Sequence, residues 1–405
     1  MKGHMFGHMH GGFRFLGALG ALARALPVLV LMLGALYSPG HAESEEYPNH
    51  PVNLSFFYPI STNQNPEVST YFRLNLIFGD IGAVRGVDLT GIGGRIRRDM
   101  VGFQVSGIYS QIEGELRGVS ITGAANYVES NAAGIQYAGL VNFVRGDFTG
   151  FQMASLFNYV EGETRGVQAT AVFNLNDGDV KYFQYSSIAN AVAGDMTGIQ
   201  ASVGLNYVNE SMVGGQLALC NFAKYMKGIQ FGLGNVAGVA KGVQIGFINV
   251  TKQLDGIPIG MFNFVEDGDV DWITYGSNLA AVSTGVRSVY RRFYSFLAIG
   301  MGDVQDSRND TAFLSWHYGY AVPIGARWKI GVDLGYVHIM PTPSTDPDVN
   351  SKTHFAVQGR AIAEIAFSEK FKIFGGGGVS QRYSEFSPNN TSTTDPLVML
   401  GISLY

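Results

Sequence analysis

The sequence predicts an all-β protein: a repeat β-solenoid of 14–16-residue coils with a C-terminal antiparallel β-sheet or small β-barrel region. Three observations lead there. With 54 Gly, 27 Phe and 20 Tyr against only 15% charged residues, the composition is that of strands and tight backbone positions, not of a charged helical bundle. A short phrase recurs at a fixed period between residues 86 and 264. Beyond Trp272 that period stops, and longer stretches of alternating apolar and polar residues take over.

In chain order, residues 1–42 come first. A basic, acid-free start leads into an apolar run of about 13 residues and then Gly40-His41-Ala42, which reads as a secretory signal peptide cut after Ala42. The run is shorter than the roughly 20 residues that span a bilayer as a helix. Cleavage removes Lys2, Arg14 and Arg24 and no acid, moving the formal charge from −5 to −8. A chain so acidic is a poor match for a polyanion, so no nucleic-acid partner is expected. The only cysteine, Cys220, has no partner for a disulfide. Residues 43–80 hold two strands, 51–60 and 71–78, that precede the repeats and are expected to cap them.

The repeat array covers residues 81–274. Its register marks are Gly86, Gly102, Gly118, Gly134, Gly150, Gly166, Tyr182, Gly198 and Gly214, all 16 residues apart, then Gly228, Gly242 and Gly256, 14 apart. Two places after the mark stands a glutamine, as in Gln136, Gln152, Gln168, Gln184 and Gln200, with Asp88, Ser120 and Pro258 as exceptions. Later in the phrase stands an asparagine, as in Asn126, Asn142, Asn158, Asn221 and Asn235. Apolar residues one, three and five places after the mark (Ile229, Phe231, Leu233; Val243, Ile245, Phe247) form a strand face. One strand, a turn, a short second strand and another turn fill 14–16 residues as one solenoid coil. Stacked coils put each amide over its counterpart about 4.8 Å away, where it donates to one neighbour and accepts from the other. The glycine suits a corner with positive φ or close backbone approach. A membrane barrel built from the repeats is disfavoured, because a 14–16-residue hairpin is too short for two strands of about 9–11 residues.

This phrase, with Phe72-Arg-Leu-Asn-Leu-Ile-Phe-Gly79 before it and Gly256-Ile-Pro-Ile-Gly-Met-Phe-Asn263 closing it, resembles the leptospiral-type bacterial surface-repeat proteins over residues 51–300. The resemblance implies a secreted or cell-surface location and carries no functional residues.

The C-terminal region, 275–405, is expected to be antiparallel, with six strands near 294–301, 314–324, 328–339, 355–367, 371–383 and 397–405. Trp328, Ile330, Val332, Leu334 and Tyr336 alternate with Lys329, Gly331, Asp333 and Gly335, and the chain ends on an aromatic residue, as outer-membrane barrels do. Adding the two strands before the repeats gives eight; a soluble sheet covering the last coil is the plainer reading.

No catalytic, cofactor-binding or metal site emerges. His4, His8 and His10 fall in the removable leader. The carboxylates of Asp177, Asp179, Asp267, Asp269 and Asp271 lie at Asp-Gly turns without a calcium-loop pattern. Glycines 91, 93, 94 and 375–378 are not embedded in a strand-to-helix unit, so they read as room for neighbouring side chains. No nucleophile elbow is present, and Cys220 is expected to be packed. Acids such as Glu161, Glu163 and Asp195 cluster at turns, where a polysaccharide-active pair would have to converge between coils. The expectation is a non-enzymatic, exported protein at the outer membrane or cell surface, with no cofactor, acting as a scaffold or binding module for a surface ligand, glycan or protein. Its rival is a small outer-membrane barrel that carries the repeats as an extension for anchoring or transport.

Overall fold

The computed structural model describes residues 48–303, 308–340, 354–384 and 392–405. The proposed leader, with His4, His8 and His10, lies outside the described residues, which contain strands and turns and no helix. The repeat array is a β-solenoid of about twelve turns, and the C-terminal region is a closed eight-stranded antiparallel barrel. By compactness the chain divides into Met1–Glu210 and Ser211–Tyr405.

In the first unit each coil is a seven-residue strand, a turn, a four-residue strand and a second turn, as in Ala132–Ala138 and Val141–Val144. Successive coils pair in parallel, residue over residue: Gly134 on Gly150, Gln136 on Gln152, Asn142 on Asn158. One end of the coil interior is apolar, lined by Ile96, Met100, Ile112, Val144, Phe148 and Val160, all essentially buried. Beside it Tyr127, Phe143 and Tyr159 stack with centroids 4.9 and 5.0 Å apart. The strands before the repeats cap the array by joining its parallel ladder: Val52–Phe57 pairs with Ser69–Asn75, which pairs with Ala83–Thr90. At that end Asp88 occupies the glutamine slot, accepts from Gln104 Nε2 at 2.9 Å and faces buried Arg73 at 3.7 Å.

The register glycines do not sit at a corner, as expected, but inside the long strand, with φ between +128° and +158° from Gly102 to Gly242. A side chain at Gly150 would strike the backbone carbonyl of Gly134 directly below. Tyr182 holds the same slot at φ 101° and is exposed. An L-residue so placed carries strain of about 1–3 kcal/mol. Tyr182→Gly is therefore expected to stabilise the array by about 1 kcal/mol once glycine's entropic cost is deducted, read as a higher denaturant midpoint.

In the second unit the 14-residue coils lose one residue at each turn, and the pairing becomes continuous: Cys220–Phe231 lies parallel on a single 32-residue strand, Gly234–Val265. The barrel follows as Asp269–Ser277, Ala280–Tyr290, Phe293–Asp303, Arg308–Ile324, Trp328–Met340, His354–Ala366, Phe371–Ser384 and Ser392–Leu404, closed by pairing of Trp272 with Leu404. Six of these match the expected strands. The remaining two come from residues 269–290, not from the N-terminal pair. Ala280–Tyr290 was illegible because Ser283, Thr284, Gly285, Arg287 and Ser288 break its apolar alternation.

Candidate functional surfaces

The solenoid interior is built from amides. In the first unit Gln152, Gln168, Gln184 and Gln200 each donate to the glutamine one coil back, at 2.8–3.0 Å. The asparagines donate the other way: Asn126, Asn142, Asn158, Asn174 and Asn190 reach the next coil's asparagine, also at 2.8–3.0 Å. Each of the five also donates to a backbone carbonyl of that next coil, such as Met153 O or Ala169 O. The two ladders thus run with opposed dipoles, and both amide columns are buried. Ser120 reaches back to Gln104 Oε1 at 3.0 Å but does not accept from the next coil, so Gln136 Nε2 is left without a partner. The same opposed ladders recur in the second unit, Gln244 to Gln230 to Gln216 and Asn221 to Asn235 to Asn249 to Asn263.

With amides inside, the apolar residues next to the mark turn outward. Phe103, Ile135, Tyr137, Phe151 and Met153 are exposed in the first unit; Leu217, Ile229, Phe231, Leu233 and Phe247 are exposed in the second. Exposed apolar residues thus recur at equivalent places of successive coils. The far turns of the first unit are polar, with Asp147 and Asp179 accepting backbone N–H groups from the next coil. There Glu163 accepts from Arg165 at 2.8 Å and Lys181 at 2.6 Å, and these bonds hold its carboxyl down at about 2. Because the folded value is depressed, this stabilisation is present above the ordinary carboxylate range and is lost as pH falls through about 2. Carbon-13 NMR of Glu163 should show that midpoint, and Arg165→Ala with Lys181→Ala should return it toward the ordinary value.

The barrel repeats the inverted pattern. Ile330, Val332, Leu334, Val379, Val398 and Leu400 point outward and are exposed. At the rim where the chain enters, short turns join the strands, and Trp272, Tyr320, Trp328, Phe367 and Tyr405 are exposed. Toward the other rim Tyr336, Phe355 and Tyr383 stack side by side, at 5.9 and 4.9 Å. Longer segments, 341–353 and 385–391, join strands there.

Inside the barrel, charges meet in pairs. Asp333 accepts two bonds from Arg360, at 2.7 and 2.9 Å, and one from Tyr294 Oη at 2.8 Å, while His317 Nδ1 lies 3.2 Å away. Asp271 accepts from Arg287, Lys372 and Ser403 at 2.8–3.0 Å, and Arg287 also meets Glu364 at 2.6 Å. Tyr275, Phe296, Phe374 and Met399 pack around these groups, as expected of an eight-stranded bore just wide enough for side chains.

The last coil rests on the outside of this barrel. Ser288, Tyr290 and Ser295 face outward by strand alternation, yet all are buried. Asn263, ending the asparagine ladder, donates to Ser295 Oγ at 2.8 Å, and Tyr290 Oη donates to Leu254 O. Serine on the outer wall is thus explained by an amide that needs an acceptor.

Among the sequence candidates, Asp177 accepts from Tyr159 Oη, and Asp179 from the Asp195 backbone N–H. Asp271 is not at a solvated turn: it is buried in the barrel, held by Arg287 and Lys372. Cys220 is exposed rather than packed: it stands one residue before the ladder asparagine Asn221 and over Gly234 of the next coil, which has no side chain to cover it. The glycines at 376 and 378 permit close approach to the backbones of Ala361 and Gly359. Among the described residues no group of three or more His, Cys, Asp or Glu is placed to hold a metal ion. The interior ion pairs were missed as a set, although Asp333 sits in phase against an apolar outer face, which is the signal of a charged bore. Comparison with family models, curated proteins and solved structures finds no match to this chain.

Proposed function

We propose that the chain is an exported, non-enzymatic bacterial outer-membrane protein in which the barrel is the membrane anchor and the solenoid the scaffold or binding module it carries. The observation that carries this reading is the barrel's inverted section: an apolar wall with aromatic residues toward both rims, around a bore filled by paired charges. Strands of 9–17 residues suffice to cross a bilayer at the usual tilt. A bore occupied by Arg360, Asp333, Phe296 and Phe374 favours anchoring over transport. In membrane barrels the short turns face the periplasm, so the rim at which the chain leaves the solenoid is assigned to that side. The module's ligand would be a glycan or protein met at variable outward positions, since the recurrent Gln and Asn are consumed in ladders.

Alkaline washing of membranes from expressing cells tests this. The chain should stay in the pellet, and the unheated, detergent-extracted form should migrate faster on a gel than the boiled form. Release into the wash as a soluble monomer would overturn the reading.

A further inference from the structure

The coils within residues 211–265 carry a face that neither barrel nor ladder explains. Along the long strand the outward column is Leu217, Phe231 and, at the turn, Leu219, Leu233 and Phe247, with Ile229 beside them, all exposed. One position before two of the four marks stands a lysine, Lys227 paired in register with Lys241 on the next coil; Val213 and Asp255 hold that slot before Gly214 and Gly256, and Asp255 meets Arg291 at 3.3 Å. Both lysines are exposed, and neither has a carboxylate partner among the described residues. Two stacked cations bordering an apolar column on one sheet face suit a surface that meets phosphates and hydrocarbon together.

The seating of the last coil says where that face lies. It covers Ser288 and Ser295 on the outer wall, and the residues paired outward from Ser295 are Tyr318 and then Leu334, which is 65% exposed on the apolar wall. The coil therefore abuts the wall on the surface that the anchor reading gives to lipid. A β-solenoid tolerates this environment because its backbone groups are paired coil to coil, and its amides are paired inside. At the last coil, Asn263 donates to Ser295 Oγ and Leu254 O accepts from Tyr290 Oη, both on the barrel.

We infer that the outward long-strand face of these coils is a lipid-contacting surface, with Ile229, Phe231, Leu233 and Phe247 against acyl chains and Lys227 and Lys241 on lipid phosphates. This rests on the barrel being membrane-embedded. It would make the solenoid's base a part of the membrane-bound body instead of a free extension.

The full chain with Cys220→Ser is labelled with bimane at Phe231→Cys or, separately, Val332→Cys, and placed in phospholipid nanodiscs with and without doxyl-labelled lipid. Both probes should lose most of their emission to doxyl lipid. Quenching at Val332 alone overturns the inference and leaves the anchor standing; quenching at neither removes both. If the Phe231 probe is shielded from iodide yet untouched by doxyl lipid, and crosslinks between copies, the face is a chain-to-chain contact and the inference fails. Lys227→Glu with Lys241→Glu should weaken doxyl quenching at Phe231 and leave Val332 unchanged; no change at Phe231 would remove the lysines from the contact.

Discussion

Asn158→Ala is expected to lower the stability of the first unit by about 3 kcal/mol or more, a large effect for deleting one amide. The side chain accepts from Asn142 Nδ2 at 2.9 Å and donates to Asn174 Oδ1 at 3.0 Å and Ala169 O at 3.1 Å. Truncation takes this donor from the buried Asn174 Oδ1 and the half-buried Ala169 O and the acceptor from Asn142 Nδ2, each loss costing about 1–3 kcal/mol where the group is buried. Asn158→Leu should be no better, since its methyl groups cannot answer those acceptors. By contrast, Phe151→Ser on the outer face of the same coil should cost under about 1 kcal/mol in detergent, where the ring is exposed. Urea unfolding monitored by far-ultraviolet circular dichroism measures both. An Asn158→Ala cost equal to or below that of Phe151→Ser would contradict an interior held by amides.

The second large effect is in the barrel bore. Asp333→Ala strands the Arg360 guanidinium, 4% exposed, among Phe296 and Tyr294. Breaking a buried pair from one side costs about 3–5 kcal/mol. Asp333→Leu combined with Arg360→Met removes both charges and should recover much of that loss, because apolar replacement of a whole buried pair is often close to neutral. The temperature at which the folded gel band disappears reports the difference. If the double variant falls as far as Asp333→Ala, the pair is not what holds the bore.

Much of the fold was readable because repetition amplifies weak signals. A single Gln in a strand says little, but glutamine in the same slot of coil after coil could only mean stacking, and the structure puts those amides over one another. The strand at 328–340 was equally legible, since its wall and bore faces differ in polarity at every step. What sequence did not convey was direction. A period-two pattern separates two faces without saying which is inside, and a preference for apolar interiors gives the wrong answer for Phe231 and Val332. The position of the glycine failed for a related reason: its positive φ was foreseeable, but a kink within a paired strand and a corner ask for the same residue. Ala280–Tyr290 stayed hidden because two demands met on one strand, Arg287 facing the ion pairs and Ser288 facing the solenoid.

The chain's three tryptophans, Trp272, Trp316 and Trp328, all lie at outward positions of the barrel. Their emission in the unmodified protein, reconstituted with brominated phospholipid, is the most direct measurement of the inverted barrel on which this account rests. It predicts strong quenching by the bromines and little by aqueous iodide. Emission that iodide quenches and brominated lipid leaves unchanged would contradict it, placing the apolar wall against water or protein instead of lipid.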